Sequence, residues 1–136
     1  MDLLKTIKIS AAGMQAQGLR LRVIAENIAN ADSLPENPGA DPYRRKVVTF
    51  KNVLDRSNDI RKVQVDKILP AKGDFVMKYN PTHPGADKDG LVKIPNVKAL
   101  LEMMDMREAQ RSYEANLSVL EVTKGMLMRT IDMLRN

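Results

Sequence analysis

Residues 4–28 read LKTIKISAAGMQAQGLRLRVIAENI, and the spacing within this stretch decides the fold expected of the chain. Leu4, Ile7, Ala11, Met14, Gly18, Leu21, Ala25 and Ile28 follow one another at alternating steps of three and four residues. That spacing puts them on one stripe of an α-helix that packs lengthwise on other helices, as in a coiled coil. Ala and Gly on the stripe let backbones approach closely but bury little area. Gly13 and Gly18 each cost about 1 kcal/mol of helix propensity relative to Ala. Such a helix is marginal by itself and needs partners.

Working outward, all seven prolines fall between Pro35 and Pro95, so both ends of the chain lack the strongest helix breaker. The sequence predicts a first helix over about 2–31 and a second from about 96 to the end. This gives three segments: 1–33, a turn-rich middle over 34–95, and 96–136. In the last, Met103, Met106, Tyr113, Leu117, Leu120, Leu127, Ile131 and Leu134 share a stripe that Gln110 and Lys124 interrupt. Pro95-Asn96 places a capping residue just ahead of it. Met103, Met104, Met106, Met126, Met128 and Met133 give this helix a deformable surface, read here as packing rather than a ligand site.

In the middle, Asn37-Pro38, Asp41-Pro42 and Asn80-Pro81 signal turns. Lys46–Val53, Lys62–Asp66, Phe75–Tyr79 and Leu91–Ile94 have the composition of short strands. The expected fold class is therefore mainly α: long N- and C-terminal helices packing as a coiled coil, with a small irregular β-containing middle segment.

Composition agrees with a helical chain. Among 136 residues there is no Cys and no Trp, aromatics are 4%, and hydrophobic residues are 43%. Disulfides and thiolate metal sites are excluded. The net charge of +5 raises the prospect of an anionic partner, but 17 acids are interspersed among 22 Lys and Arg. The longest basic run, Arg44-Arg45-Lys46, is shorter than nucleic-acid binding calls for. The start, Met1-Asp2, lacks the basic and apolar regions of a cleaved signal peptide, and no stretch approaches a transmembrane span.

Catalytic constellations are also missing from the sequence. The single histidine, His83, sits in Pro81-Thr82-His83-Pro84 without a partner for acid–base or metal chemistry. Asp87-Lys88-Asp89-Gly90 approaches a calcium loop, but with Gly90 at the loop glycine the first and twelfth ligands would be Gly85 and Asn96. Neither supplies a carboxylate, and a turn is the better reading. Glu102, Asp105 and Glu108 form a row on one helix face, read as a solvated flank paired with Arg107 and Arg111. No enzymatic activity, cofactor, metal or small-molecule substrate is expected.

Two groups of residues resemble a known family. Ala25-Glu26-Asn27-Ile28-Ala29-Asn30-Ala31-Asp32-Ser33 is similar to the A-x-N-I-A-N motif of the flagellar axial proteins of rod, hook and hook-associated type, with Ser33 where Thr is usual. Ser10-Ala11-Ala12-Gly13-Met14 fits the same family's N-terminal pattern. Tyr79-Asn80-Pro81-Thr82-His83-Pro84, Asp89-Gly90, Pro95-Asn96-Val97, Glu102-Met103 and Arg111-Ser112-Tyr113-Glu114-Ala115-Asn116 resemble the proximal rod members in particular. The resemblance implies a structural subunit passed through the flagellar type III export channel without signal cleavage. It implies assembly in the periplasm with copies of itself and other rod proteins, above membrane-ring and export-apparatus components, into the shaft that carries torque to the hook. Helices that are marginal alone suit export unfolded and ordering on assembly.

The assembly surface expected from both lines comprises Met14, Gly18, Leu21, Asn27, Ile28, Asn30, Met106, Tyr113, Asn116, Leu117, Leu120 and Leu127. Asn27 and Asn30 either fix register against a neighbour or simply end the helix, Asn30 as its cap. The alternative function is a cytosolic basic coiled-coil regulator binding nucleic acid through Arg20, Arg22, Arg44, Arg45 and Lys46. A membrane-surface helix is disfavoured by the Ala- and Gly-rich seam.

Overall fold

The computed structural model describes residues 2–135. Helix α1 spans Leu3–Ala29; strands follow at Lys46–Asp55 (β1), Ile60–Pro70 (β2), Val76–Tyr79 (β3) and Leu91–Ile94 (β4), and helix α2 spans Ala99–Arg135. Asp2 begins α1 as an N-cap, its carboxylate accepting from the Leu4 and Lys5 amides at 3.1 and 3.3 Å. At the other end the Asn30 carbonyl accepts from Ser33 Oγ at 2.9 Å and from the Ser33 amide at 3.2 Å, which closes the helix.

The expected coiled-coil, mainly α architecture is not what forms. The helices hold 27 and 37 residues, less than half the chain, and two two-stranded antiparallel sheets, β1-β2 and β3-β4, take up much of the middle. β-Branched and aromatic residues in Lys46–Asp55 carry the pairing on, so β1 and β2 run ten and eleven residues instead of breaking up. In the second sheet Val76 faces Ile94 and Tyr79 faces Leu91. On α1, Leu4, Ala11 and Ala25 of the expected seam are exposed. The deep row holds Ser10, Gly13, Ala16, Val23, Ile24 and Asn27. Apart from Val23 and Ile24, these positions are too small or too polar to serve as the aliphatic knobs of a coiled coil. On α2, Met103, Leu117, Ile131 and Leu134 are exposed as well.

Asn96 does not cap α2. The helix starts three residues later, with the Glu102 amide bonding the Lys98 carbonyl, and Asn96 Oδ1 accepts instead from the Arg45 amide at 2.9 Å. The core is small: Ala16, Val23, Ile24, Ile60, Val92 and Ala109 are the buried hydrophobic side chains among the described residues.

The chain falls into two compact units. One contains α1 up to Leu21, Val48–Lys67 and the chain from Arg107 onward. Within it Gly13 lies against Asn116, and Arg20 pairs with Glu108 at 3.4 Å, so the two helix segments run antiparallel. Lys51–Asp66 and Lys62–Asp55 pairs, at 3.2 and 3.0 Å, cross the hairpin. The other unit contains Arg22–Val47 and Ile68–Met106, with β3 and β4.

Candidate functional site

The second unit contains a buried polar cluster built on Asn27, which is 1% exposed. The last turns of α1 bring this amide under the segment leading into β1. Asn27 Nδ2 donates to the Lys46 carbonyl at 2.9 Å and to Glu102 Oε2 at 3.0 Å. Its Oδ1 accepts from the Tyr43 hydroxyl at 2.8 Å and from the Lys46 amide at 2.9 Å. Both donors and both lone pairs of the amide are used, which is the full capacity of an Asn. Asn27 thus completes the backbone bonding of Lys46 at the very start of β1.

Glu102 is also 1% exposed, and its other carboxylate oxygen receives the Arg45 guanidinium. Arg45 reaches Asp105 too, at 3.5 Å. A carboxylate with this little solvent is tolerable only when paired and hydrogen-bonded, and Arg45 and Asn27 supply both conditions. At the rim Lys46 Nζ pairs with Glu26, and its ammonium lies 5.9 Å from the Tyr43 ring centroid. Burial, then the charges of Glu26 and Glu102, push the Tyr43 hydroxyl above the ordinary tyrosine range. The phenol is held neutral, as a donor to Asn27 must be.

Arg44 turns the other way. Its guanidinium lies 4.3 Å from the Phe75 ring centroid and donates to the Ala71 and Gly73 carbonyls at 3.2 and 2.8 Å. The basic run that sequence reading offered to phosphates is therefore engaged within the protein: Arg44 on carbonyls and a ring, Arg45 and Lys46 on carboxylates. The acidic row is only in part the solvated flank expected. Glu102 is buried on Arg45, while Glu108 stays exposed and pairs with Arg20 rather than with Arg107 or Arg111.

A second tight spot lies in the loop between β3 and β4. A Cβ built on Gly85 would come within 2.2 Å of the Pro35 carbonyl oxygen, so only glycine lets these two backbone segments touch. His83 Nδ1 accepts from the Gly85 amide at 3.0 Å, a local loop contact. Asp87 Oδ1 accepts from the Asp89 and Leu91 amides at 2.9 Å, and Gly90 has a φ of 75°, so this segment is a turn. Among the described residues no group of three or more His, Cys, Asp or Glu is placed to hold a metal ion. No helix is long and apolar enough to cross a membrane.

The residues expected at an assembly surface are spread over both units. Asn27 is buried, and its four bonds are all internal. Asn30 donates to the Glu26 carbonyl at 2.9 Å and helps end α1, so the two amides of the motif do different work. Ile28 and Met106, also in the second unit, are partly covered. In the first unit Met14, Gly18, Leu21, Tyr113, Asn116, Leu120 and Leu127 are partly covered and Leu117 is exposed. Around Gly18 nothing lies within 4 Å of where a Cβ would stand, whereas Gly13 has the Asn116 amide at 2.9 Å. The close approach that sequence reading placed at Gly18 is made, within the chain, at Gly13. Tyr43 was not singled out, and Arg45, Glu102 and Gly85 were named only in other roles, since no local periodicity pairs residues so far apart.

Residues 88–133 match the family model for the C-terminal region of flagellar basal body rod FlgEFG proteins. Over 128 residues the chain is 52% identical to the flagellar basal-body rod protein FlgC of Agrobacterium fabrum, covering 94% of this chain and 92% of that protein. It is 37% identical to the FlgC proteins of Bacillus subtilis (93% of this chain, 95% of that one) and Salmonella typhimurium (96% and 97%).

Proposed function

This chain belongs to the FlgC family of flagellar basal-body rod proteins, structural subunits of the bacterial flagellum, and from that premise we propose how it serves there. It joins copies of itself and other rod proteins in a periplasmic drive shaft, seated on membrane-ring and export-apparatus components, that transmits torque to the hook. It travels through the flagellar export channel without loss of a signal peptide. The role is architectural and includes no catalytic step.

The observation that carries this reading is the uncovered apolar surface of α2. Leu117, Val119, Val122, Met126, Met128, Ile131, Met133 and Leu134 are all exposed along its second half. Val119, Val122, Met126 and Met133 fall on one side of the helix at its natural period, and an exposed apolar stripe of this kind marks a surface meant for other protein. Met14, Gly18 and Leu21 on α1, with Leu117, Leu120 and Leu127 on α2, pack against neighbouring subunits, and Asn27 holds the second unit together from inside. The nucleic-acid alternative has no support, because Arg44, Arg45 and Lys46 are spent internally. Deleting the gene and restoring it in trans tests the proposal. The expected result is loss of rods and swimming in the deletion, and recovery of both with the intact gene. Normal rods in the deletion strain would overturn it.

A further inference from the structure

The chain's charge is divided unevenly between its two units. The first holds 13 Lys and Arg against 8 Asp and Glu, the whole of the +5, and the second balances 9 against 9. In the first unit, Arg56 and Arg61 flank the turn between β1 and β2, both exposed and with no hydrogen bond or ion pair among the described residues. Lys8 Nζ donates to Asn58 Oδ1 in that turn, which brings Lys8, and Lys5 one helical turn before it, to the same place. Asp59 lies between the arginines and Asp2 precedes Lys5, so the patch stays positive by about two charges. Asp55 is already occupied by Lys62.

An opposite surface lies in the second unit. Residues 32–41 contain Asp32, Glu36 and Asp41 and no cation. Asp41 pairs with Lys93 at 2.9 Å, leaving Asp32 and Glu36 exposed and unpaired. The loop that meets Pro35 at Gly85 also carries Asp87 and Asp89. Lys78 and Lys88 reduce this negative charge without cancelling it.

We propose that the β1-β2 turn of one subunit, through Arg56 and Arg61, docks on Asp32 and Glu36 of the next copy of this chain. The inference rests on the rod-assembly reading and names one contact within it. Two basic turns repel each other, so the turn seats on the acidic surface rather than on its own counterpart. In a rod that contact runs head to tail, and a head-to-tail contact that does not close repeats along a helix. Opposite charges at such a joint fix orientation and register during assembly more than they add affinity.

The chain has no cysteine, which makes cross-linking clean. A subunit carrying Arg56→Cys and Glu36→Cys is expressed in the gene-deletion strain, and isolated basal bodies are oxidised. The expected product is a ladder of this chain linked to itself. No cross-link, or a link only to a different protein, overturns the proposal. In parallel, Arg56→Glu with Arg61→Glu, and separately Asp32→Lys with Glu36→Lys, should each abolish swimming while the subunit is still secreted. Combining all four should restore it. Circular dichroism of each purified variant guards against misfolding, and Arg56→Ala with Arg61→Ala gives a milder version of the same loss. If both reversals build motile flagella, the docking fails and the rod reading stands. If the unaltered gene does not restore rods to the deletion strain, the rod reading itself has failed.

Discussion

Asn27 Nδ2 donates to Glu102 Oε2 over 3.0 Å, joining the end of α1 to the start of α2 through two buried side chains 75 residues apart. The bond places a neutral donor where the carboxylate needs one and leaves the second oxygen for Arg45. The other three bonds of the amide hold Tyr43 and Lys46 in place, so one residue sets how three segments meet.

Asn27→Asp should therefore destabilise the isolated subunit more than Asn27→Ala. The alanine leaves the Lys46 backbone, Tyr43 and Glu102 short of partners, at about 2–3 kcal/mol. The aspartate adds a second carboxylate facing Glu102 and offers no donor to either acceptor, at about 3–5 kcal/mol. Urea unfolding of both variants measures the order. Parent-like stability in either would remove Asn27 from the centre of the cluster.

The raised pKa of Tyr43 gives a pH dependence whose sign is fixed. The unfolded chain ionises this phenol near 10, and the folded protein resists doing so. The stabilisation is complete below pH 10 and is lost as pH rises through the folded value. Tyr43→Phe should cost about 1 kcal/mol at neutral pH, through the lost bond to Asn27, and should flatten the alkaline decline. Melting temperatures of parent and variant from pH 8 to 11 provide the check; parallel curves would contradict it.

Two glycines should respond oppositely to alanine. At Gly85 the new Cβ meets the Pro35 carbonyl backbone, which cannot swing aside, and the contact between the loops opens at a cost of about 1–3 kcal/mol. At Gly125, inside α2, a Cβ meets nothing within 4 Å. Gly125→Ala should stabilise the helix by up to about 1 kcal/mol. Thermal unfolding of the two variants separates them, and a shift of the same sign in both would mean the Gly85 contact is not made.

Gly18 distinguishes the subunit from the assembly. With open space around it, Gly18→Ala should raise the stability of the isolated subunit by about 1 kcal/mol. If a neighbouring subunit packs there, Gly18→Leu should still be secreted but should overpack each interface by about 1–3 kcal/mol. Comparing secreted with rod-incorporated protein for Ala, Val and Leu reads the difference. Equal incorporation of all three would place Gly18 in solvent in the rod as well.

Sequence alone determined that both ends of this chain are helical and that the middle holds turns and strands, though not that β1 and β2 run ten and eleven residues. Prolines confined to 35–95 and an apolar period near 3.6 are local properties, readable without knowing what packs on each helix. It also carried the family, because motif residues can be read one after another. The register of the packed face was less legible. The expected seam through Ala11, Met14 and Ile28 lies one residue past the deep row of Ser10, Gly13 and Asn27. Small residues occupy both stripes, so hydrophobicity could not choose between them. What only tertiary structure decided is which groups meet. Asn27 became an internal pin and Asn30 a cap, though each sits in the same motif. Arg45 went to Glu102 and Arg44 to Phe75, and Gly85 rather than any helical glycine became the point of backbone contact in its unit. Such pairings join residues 31 to 75 positions apart, and the energy that selects them exists only once burial has removed the competing water.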